Sequence, residues 1–250
     1  ADFVARKSVS CFGNRLICLG SGIHNSNRNH PTETTLFQCA IGDSSYIPAY
    51  QEGDSVLCDP FHTYYYIRKG NIRYTEGIQH SFHNKTRQPT SGRFVTAWLD
   101  HGIAPCNASY EYLVLIKPTP KEQAEALHAY RIMQHDNKAH IIYDVPSGTV
   151  ACAFFDEFTG NEDFLIKYAD AETLVMYRQE QGTVRISVCS PDLNIAEKTF
   201  TTSAPSRPKV KRIVLPGRWD VEQGSSHFIS VHTVTCRDGQ PQEFILIRRK

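Results

Sequence analysis

Short runs rich in β-branched and aromatic residues recur along this 250-residue chain, and they restrict its fold more than any other feature. The clearest runs are 93–99, 110–116, 140–143, 173–177, 183–188 and 243–247. Runs of this length and composition are typical of β-strands. Gln181-Gly182 joins two of them, and Asp238-Gly239 precedes another. Glycine supplies the positive φ that tight hairpins require, so the pattern predicts an all-β fold of antiparallel β-sandwiches.

One segment departs from this pattern and predicts a single short helix. Thr119-Pro120-Lys121-Glu122 combines a capping residue, a proline at the first helical position and a glutamate three residues after the cap. That arrangement is typical of a helix start. Ala124, Leu127 and Tyr130 then recur at helical spacing. We expect a helix over about 119–132 that links two β-domains.

Composition and charge remove several classes of protein. The formal net charge of +1 gives no general attraction to nucleic acid. No apolar run approaches 18 residues, so no membrane span is expected. Residues 1–7 lack the apolar core of a signal peptide and fit a mature or truncated start, so this segment says nothing of export. The eight cysteines form no Cys-x-x-Cys pair or metal-type spacing, which favours buried free thiols over a disulfide framework.

Two ordered sequence blocks carry a resemblance to a known family. The first comprises 7–23, Lys7-Ser8-Val9-Ser10-Cys11-Phe12 through Gly20-Ser21-Gly22-Ile23, followed by 30–38, His30-Pro31-Thr32-Glu33-Thr34-Thr35-Leu36-Phe37-Gln38. The second is 98–112, with Trp98, the pair His101-Gly102 and a closing Tyr110-Glu111-Tyr112. Together they resemble the central β-region of polysaccharide lyases that degrade chondroitin and hyaluronan. The resemblance is strongest to the broad-specificity chondroitin ABC lyases and covers about 5–118 well.

The resemblance implies a domain layout. Those enzymes are far longer, with an N-terminal helical toroid, a large antiparallel β-sandwich and a smaller C-terminal β-domain. By this likeness, 1–118 is the C-terminal part of the super-sandwich, 119–136 a helical linker and 137–250 a smaller C-terminal β-sandwich domain.

The resemblance also implies where the chemistry lies. In the family, the catalytic Asn, His, Tyr and Arg belong to the helical toroid, and a catalytic Glu lies upstream of the first block. No position here matches them, so this chain is expected to hold no catalytic residue, metal or cofactor. The intact protein is implied to be a secreted or periplasmic lyase that cleaves sulfated glycosaminoglycans by β-elimination. Its upstream helical domain or fragment would be the catalytic partner of this chain.

The best candidate for substrate contact is the polar segment 79–89. His83, Lys85 and Arg87 would meet the anionic chain, since a guanidinium can bind sulfate or carboxylate bidentately. Phe82 would stack on a sugar face. The alternative is a solvated loop without function.

Other candidates have a structural explanation that we favour. His101 is expected near a strand end with backbone partners, beside Gly102 in an unusual backbone conformation. Glu33 is expected to pair with backbone or a basic group, and His80 with His83 could hold a metal only from a loop. The alternating Lys209-Val210-Lys211-Arg212 predicts an exposed sheet edge guarded by charge.

Three functions from different classes follow, in decreasing order of support. The first is the non-catalytic C-terminal β-part of a chondroitin-type lyase, which contributes one wall of the substrate cleft. The second is a stand-alone β-sandwich that binds sulfated glycans. The third is a metal-dependent enzyme that uses the histidines.

Overall fold

The computed structural model describes residues 3–41, 55–195, 207–222, 227–228 and 231–248. The chain forms two compact units, 1–128 and 129–250. Each unit is an antiparallel all-β structure, as the sequence predicts. The domain boundaries implied by the resemblance stay a prediction.

The described residues of the first unit form two antiparallel sheets. Its strands are β1 (Val4–Phe12), β2 (Arg15–His24), β3 (Pro31–Ala40), β4 (Val56–Cys58), β5 (Thr63–Lys69), β6 (Ile72–Phe82), β7 (Pro89–Ile103) and β8 (Ala108–Ile116). One sheet has the order β1-β2-β8-β5-β4 and the other β3-β7-β6. The predicted runs 93–99 and 110–116 lie inside β7 and β8.

The core of this unit lies between its two sheets. Cys18, Tyr65 and Tyr110 come from the five-stranded sheet, and Val95 and Leu99 come from the three-stranded sheet. Buried and exposed positions alternate along β3 and β7, as expected for strands with one face on a core. The result is a two-sheet sandwich.

The predicted helix is present but shorter than expected. Helix α1 (Pro120–Glu125) begins after Thr119, whose hydroxyl accepts from the backbone N–H of Glu122 while the Glu122 carboxylate accepts from the N–H of Thr119. A 3₁₀ turn (Ala126–His128) follows. The extension of the helix to 132 was wrong, because Tyr130–His135 forms a strand that pairs with its neighbour in the second unit.

The part of the second unit that the structure describes also forms two antiparallel sheets. Its strands are β9 (Tyr130–His135), β10 (Ala139–Asp144), β11 (Thr149–Phe154), β12 (Phe158–Thr159), β13 (Tyr168–Ala169), β14 (Thr173–Glu180), β15 (Thr183–Cys189), β16 (Lys209–Val214), β17 (Trp219–Val221), β18 (His227–Phe228), β19 (Val231–Cys236) and β20 (Gln242–Arg248). The larger sheet has the order β18-β17-β20-β15-β14-β11-β10-β9, and the smaller β12-β13-β16-β19. Phe154, Val175 and Ile186 of the larger sheet share a core with Phe158 and Ile213 of the smaller one.

The two predicted tight turns are confirmed. Gln181 and Gly182 both have positive φ and connect β14 to β15, whose register continues to Glu180 and Thr183. Asp238 and Gly239 also have positive φ, within a bridge that closes between the residues on either side of them. Both turns therefore use the backbone geometry for which glycine is suited.

The prediction of an exposed edge at Lys209–Arg212 was wrong. Strand β16 lies between β13 and β19: it pairs with β19 over Lys209–Val214 and with β13 at Ile213 and Val214, and the Arg212 carbonyl accepts from the Asp170 N–H. The alternation is also inverted, since Val210 is exposed and Lys211 is buried. The Lys211 ammonium donates to the Ala171 carbonyl at 2.6 Å, and burial lowers its pKa. Charge alone did not distinguish an exposed lysine on an edge strand from a buried lysine whose ammonium is hydrogen-bonded inside a sheet.

All eight cysteines are free thiols in the structure. Cys18, Cys152 and Cys236 are buried, whereas Cys11 and Cys106 are exposed. The prediction of free cysteines is confirmed, and their expected burial holds for only part of the set.

Candidate functional site

The candidate site predicted from residues 79–89 lies at the end of a long hairpin formed by β6 and β7. The two strands pair continuously from Ile72 and Leu99 to Phe82 and Pro89. Strand β3 accompanies β7 only as far as the pair Ala40 and Phe94. One further backbone hydrogen bond, from the Ile41 N–H to the Arg93 carbonyl at 3.0 Å, lies at the base of the segment 78–93, whose strand pairing is otherwise between β6 and β7 among the described residues. We call this segment the hairpin arm.

Side-chain amides anchor the base of the hairpin arm to the sheet. The Gln38 amide donates to the Gln79 side-chain oxygen at 2.7 Å, and the Gln79 amide donates to the Thr96 hydroxyl at 2.9 Å. Arg93 forms an ion pair with Glu76 across the two strands. These contacts tie the arm to all three strands of its sheet.

The turn at the tip is organised around His83. The His83 N–H donates to the Gln88 carbonyl, and the Arg87 N–H donates to the His83 carbonyl, both at 2.9 Å. The Thr86 N–H also donates to Nδ1 of the imidazole at 3.2 Å. Since Nδ1 accepts, the neutral ring carries its proton on Nε2. His83 therefore stabilises the turn and keeps one ring nitrogen for an outside partner.

The structure places all three predicted contact residues on this one turn. His83, Lys85 and Arg87 are exposed, and neither Lys85 nor Arg87 forms an ion pair with a described residue. Arg87 has a φ of +58°, which an L-residue adopts only where surrounding contacts hold it. A guanidinium held by a fixed backbone can bind sulfate or carboxylate with less loss of freedom than one on a mobile loop.

An apolar surface adjoins these cations. Ile78 is 69% exposed and Phe82 is 65% exposed. They are four residues apart on one strand, with His80 between them, so the three side chains share one face. The arm thus combines two exposed cationic side chains, carried on an ordered turn, with an exposed aromatic ring, a combination suited to an anionic, ring-containing ligand.

His101, in the second sequence block, has a structural environment. Its Nε2 lies 2.9 Å from the Thr34 hydroxyl, and its ring stacks on Tyr110 with 5.9 Å between centroids. Gly102 has a φ of +79° and its N–H donates to the Asp100 carboxylate, which agrees with the predicted unusual backbone. The partner of the ring is thus a hydroxyl and not the predicted backbone. Burial lowers the pKa of His101, and the Lys7 ammonium acts in the same direction.

We expect acid to destabilise the first unit through His101. The folded state holds a proton on this ring less tightly than the unfolded chain, so protonation favours unfolding. The contribution of His101 to stability is therefore complete above the ordinary pKa of 6.5 and declines as pH falls through that value towards the lowered folded pKa. The free energy of unfolding, measured with urea at about pH 7.5 and about pH 5.5, should fall less between these two values for His101→Gln than for the unaltered chain. Equal losses in both proteins would contradict this assignment.

The remaining candidates lack the surroundings that catalysis would require. The Glu33 carboxylate is exposed and, within the part of the chain that is described, forms no ion pair, so the predicted pairing with a basic group is not found. His80 lies on β6 and His83 in the turn. Among the described ranges, no three His, Cys, Asp or Glu side chains are grouped to hold a metal.

The sequence did not indicate a groove in the second unit. The groove has a volume of about 290 Å³ and lies beside β9, where Met133 and Gln134 both line it. Successive residues of a regular strand face opposite sides, so Met133 and Gln134 can line the same groove only where the strand is irregular. The signal in the sequence would have been an interruption at 132–134 of the strand alternation between inward and outward side chains. The helical spacing that we assigned to 124–130 obscured it.

The fold is that of an all-β protein with two antiparallel sandwich units, and comparison with known proteins gives its family. The profile of the polysaccharide lyase family 8 super-sandwich domain matches residues 1–130. The chain belongs to polysaccharide lyase family 8. In the described residues, the structure has no helix of the length and apolarity needed to cross a membrane.

Curated relatives extend the match beyond that domain. The chondroitin sulfate ABC endolyase of Proteus vulgaris is 31% identical over 273 aligned positions, covering 98% of this chain and 26% of that enzyme. A chondroitin sulfate ABC exolyase of Bacteroides thetaiotaomicron is also 31% identical, covering 87% of this chain and 24% of the relative. The chain thus spans about a quarter of the length of these relatives.

Solved structures share the fold at low identity. Streptomyces coelicolor A3 chondroitin AC lyase, in complex with chondroitin sulphate, superposes with a TM-score of 0.72 at 20% identity, covering 98% of this chain and 33% of that one. A Paenibacillus xanthan lyase superposes with a TM-score of 0.74 at 17% identity, covering 99% and 26%. These likenesses support the two-sandwich architecture over nearly the whole chain.

Proposed function

We propose that this chain is the non-catalytic C-terminal β-part of a polysaccharide lyase that cleaves chondroitin or dermatan sulfate, and hyaluronan as a further substrate. The observation that carries the proposal is the 31% identity to a chondroitin sulfate ABC endolyase over 98% of the chain. The β-part would support the enzyme and form a wall of the substrate cleft. An upstream helical domain would be its partner, and the protein would act outside the cell or in the periplasm.

The reaction would be β-elimination at a uronic acid. A base takes the C5 proton, a double bond forms between C4 and C5, and the glycosidic oxygen leaves C4 with a proton. Such a step needs a base within reach and a group that neutralises the uronate carboxylate. Neither Glu33 nor His101 combines these features, which supports placing the catalytic groups outside this chain.

Activity measurements test this division of roles. We expect the purified chain to leave chondroitin sulfate intact, measured by the ultraviolet absorbance of the unsaturated uronate product. Addition of the upstream region should produce that absorbance. Product from the chain alone would contradict the proposal and would make Glu33, His83 and His101 the first residues to replace.

The hairpin arm is our candidate for the substrate-contacting surface. The support is the fixed turn around His83, the two cations Lys85 and Arg87, and the exposed ring of Phe82. A sulfated glycan is a polyanion with apolar sugar faces, so it matches both the charge and the ring. The second candidate function, a stand-alone glycan-binding module, rests on the same surface.

We expect Lys85→Ala with Arg87→Ala to weaken binding of chondroitin sulfate to this chain by about tenfold, because two charge-assisted contacts are lost from an exposed site. Isothermal titration at low salt measures the change, and added salt should reduce the difference. In the full enzyme the same change should raise KM and leave the melting temperature unaltered.

The matched control is Lys121→Ala with Arg131→Ala, which removes the same charge from exposed positions outside the hairpin arm. Equal weakening by both pairs would assign the effect to net charge and remove the arm from consideration. Binding of chondroitin sulfate by the chain, together with no lyase activity after addition of the upstream region, would favour the stand-alone module.

A further inference from the structure

The groove in the second unit is built by a β-bulge at an edge strand. Strand β9 pairs Gln134 with Ile141 and Ile132 with Ile142, which leaves Met133 as an extra residue. A bulge of this kind re-aims side chains and is common beside functional sites. Here it brings the side chains of Met133 and Gln134 into one groove.

The opposite side of the groove is a loop held firmly by its own contacts. The Asn161 side-chain oxygen accepts from the N–H groups of Asp163 and Phe164 at 3.1 and 3.0 Å. The Lys167 ammonium donates to the carbonyls of Asn161 and Glu162 at 2.9 and 2.6 Å. The loop is therefore preformed, and a ligand would not have to order it.

The floor of the groove is apolar. Ile141 is 3% exposed, and Phe158 and Phe164 are each 8% exposed. Their rings meet edge to face at 5.6 Å. Met133, which is 52% exposed, forms an adaptable wall. A flat group with an apolar face would pack on this floor.

The rim carries four polar side chains with capacity for further hydrogen bonds. The Gln134 amide nitrogen donates to Asp136, but no described residue donates to its oxygen. The Asn161 amide nitrogen, the Thr159 hydroxyl and the Asp163 carboxylate likewise have no hydrogen bond with a described residue. The rim therefore offers a donor, acceptors and a hydroxyl around an apolar floor.

We propose that this groove binds a single uncharged sugar residue. A pyranose has an apolar face of C–H groups and an edge of hydroxyls, which match the floor and the rim. The volume of about 290 Å³ lies at the low end of ligand sites and fits one ring and its substituents. Among the described residues, the one charged side chain that lines the groove is Asp163, beside Glu162, whereas the Lys167 ammonium is bound to the carbonyls of Asn161 and Glu162 and does not line it. A carboxylate or sulfate in the groove would therefore be repelled. This site differs from the hairpin arm in both position and ligand, and it does not depend on the proposed lyase function.

Titration of the whole isotope-labelled chain tests the proposal by NMR. We expect N-acetylgalactosamine and glucose to shift the amide resonances of Gln134, Thr159 and Asn161 saturably, with Kd on the order of 1 mM for so small a ligand. Glucuronate should bind at least about tenfold more weakly because of Asp163. Absence of saturable shifts with the neutral sugars, or equal binding of glucuronate, would overturn the proposal.

Three variants locate the binding, and two variants outside the groove serve as controls. Met133→Trp should fill the groove and abolish the shifts, whereas Val145→Trp, on an exposed position outside the groove, should leave them unchanged. Asp163→Asn should narrow the difference between glucuronate and neutral sugar, and the exposed Asp156→Asn should not. Thr159→Val gives a milder test in case the tryptophan disturbs the fold, with an expected weakening of about threefold. Unchanged binding in Met133→Trp and Thr159→Val would refute the assignment.

Discussion

Replacing Gly20 with alanine is expected to destabilise the first unit by about 3 kcal/mol. A Cβ at this position would lie 2.2 Å from Cε1 of Tyr110 and 2.6 Å from two further ring atoms. Tyr110 faces Gly20 across β2 and β8, is 3% exposed and stacks on His101. The ring cannot move aside without disturbing the core, so the added methyl group strains both strands.

Urea unfolding followed by Trp98 fluorescence measures this effect, with Trp219→Phe as the common background so that the signal reports on the first unit. The matched control is Gly77→Ala in β6, where a Cβ would meet nothing within 4 Å, and its expected change is within about 0.5 kcal/mol. In a Tyr110→Ala background the additional cost of Gly20→Ala should largely disappear, because the two positions are in contact. Equal costs at Gly20 and Gly77 would show that the ring does not occupy the space above Gly20.

Replacing Phe154 with alanine is expected to destabilise the second unit by about 4 kcal/mol. Phe154 is 1% exposed and its ring lies 4.4 Å from that of Phe158, which in turn contacts Phe164. Loss of the ring removes buried apolar area and leaves a cavity between the two sheets that the remaining side chains cannot fill.

Trp219 fluorescence in a Trp98→Phe background follows this transition. Leu174→Ala on β14 is the control in the same sheet, because Leu174 is 38% exposed and its truncation should cost less than about 1 kcal/mol. A cost for Phe154→Ala as small as that of Leu174→Ala would mean that the core of this unit does not depend on its aromatic cluster.

Strands and turns were predictable because their signals are local. The runs at 183–188 and 243–247 carry β-branched residues at alternating positions, and Gln181-Gly182 supplies the required φ values. The end of the helix was not predictable in this way. Tyr130 suits a helical periodicity, but it is buried in β9 because pairing with β10 overrides local preference.

Features that depend on strand order were also outside the reach of sequence reasoning. The alternation at Lys209–Arg212 is correct for a strand, but its place between β13 and β19 follows from pairing with residues distant in sequence. The cluster of His83, Lys85 and Arg87 was found because all three lie in one short turn. The groove beside Met133 was missed because its walls come from β9, β10 and a loop near 161.

The hairpin arm has a consequence for how such a protein can diverge. Apart from the Ile41 N–H at its base, the described backbone partners of its strands lie within the β6–β7 hairpin, and its tip contributes no described residue to the buried core. Substitutions at the tip therefore cost the fold little, whatever they do to the surface chemistry. A lineage could change the charge, the aromatic ring or the length of the arm while its sandwich stays constant, so the surface chemistry of the arm can evolve independently of the stability of the fold.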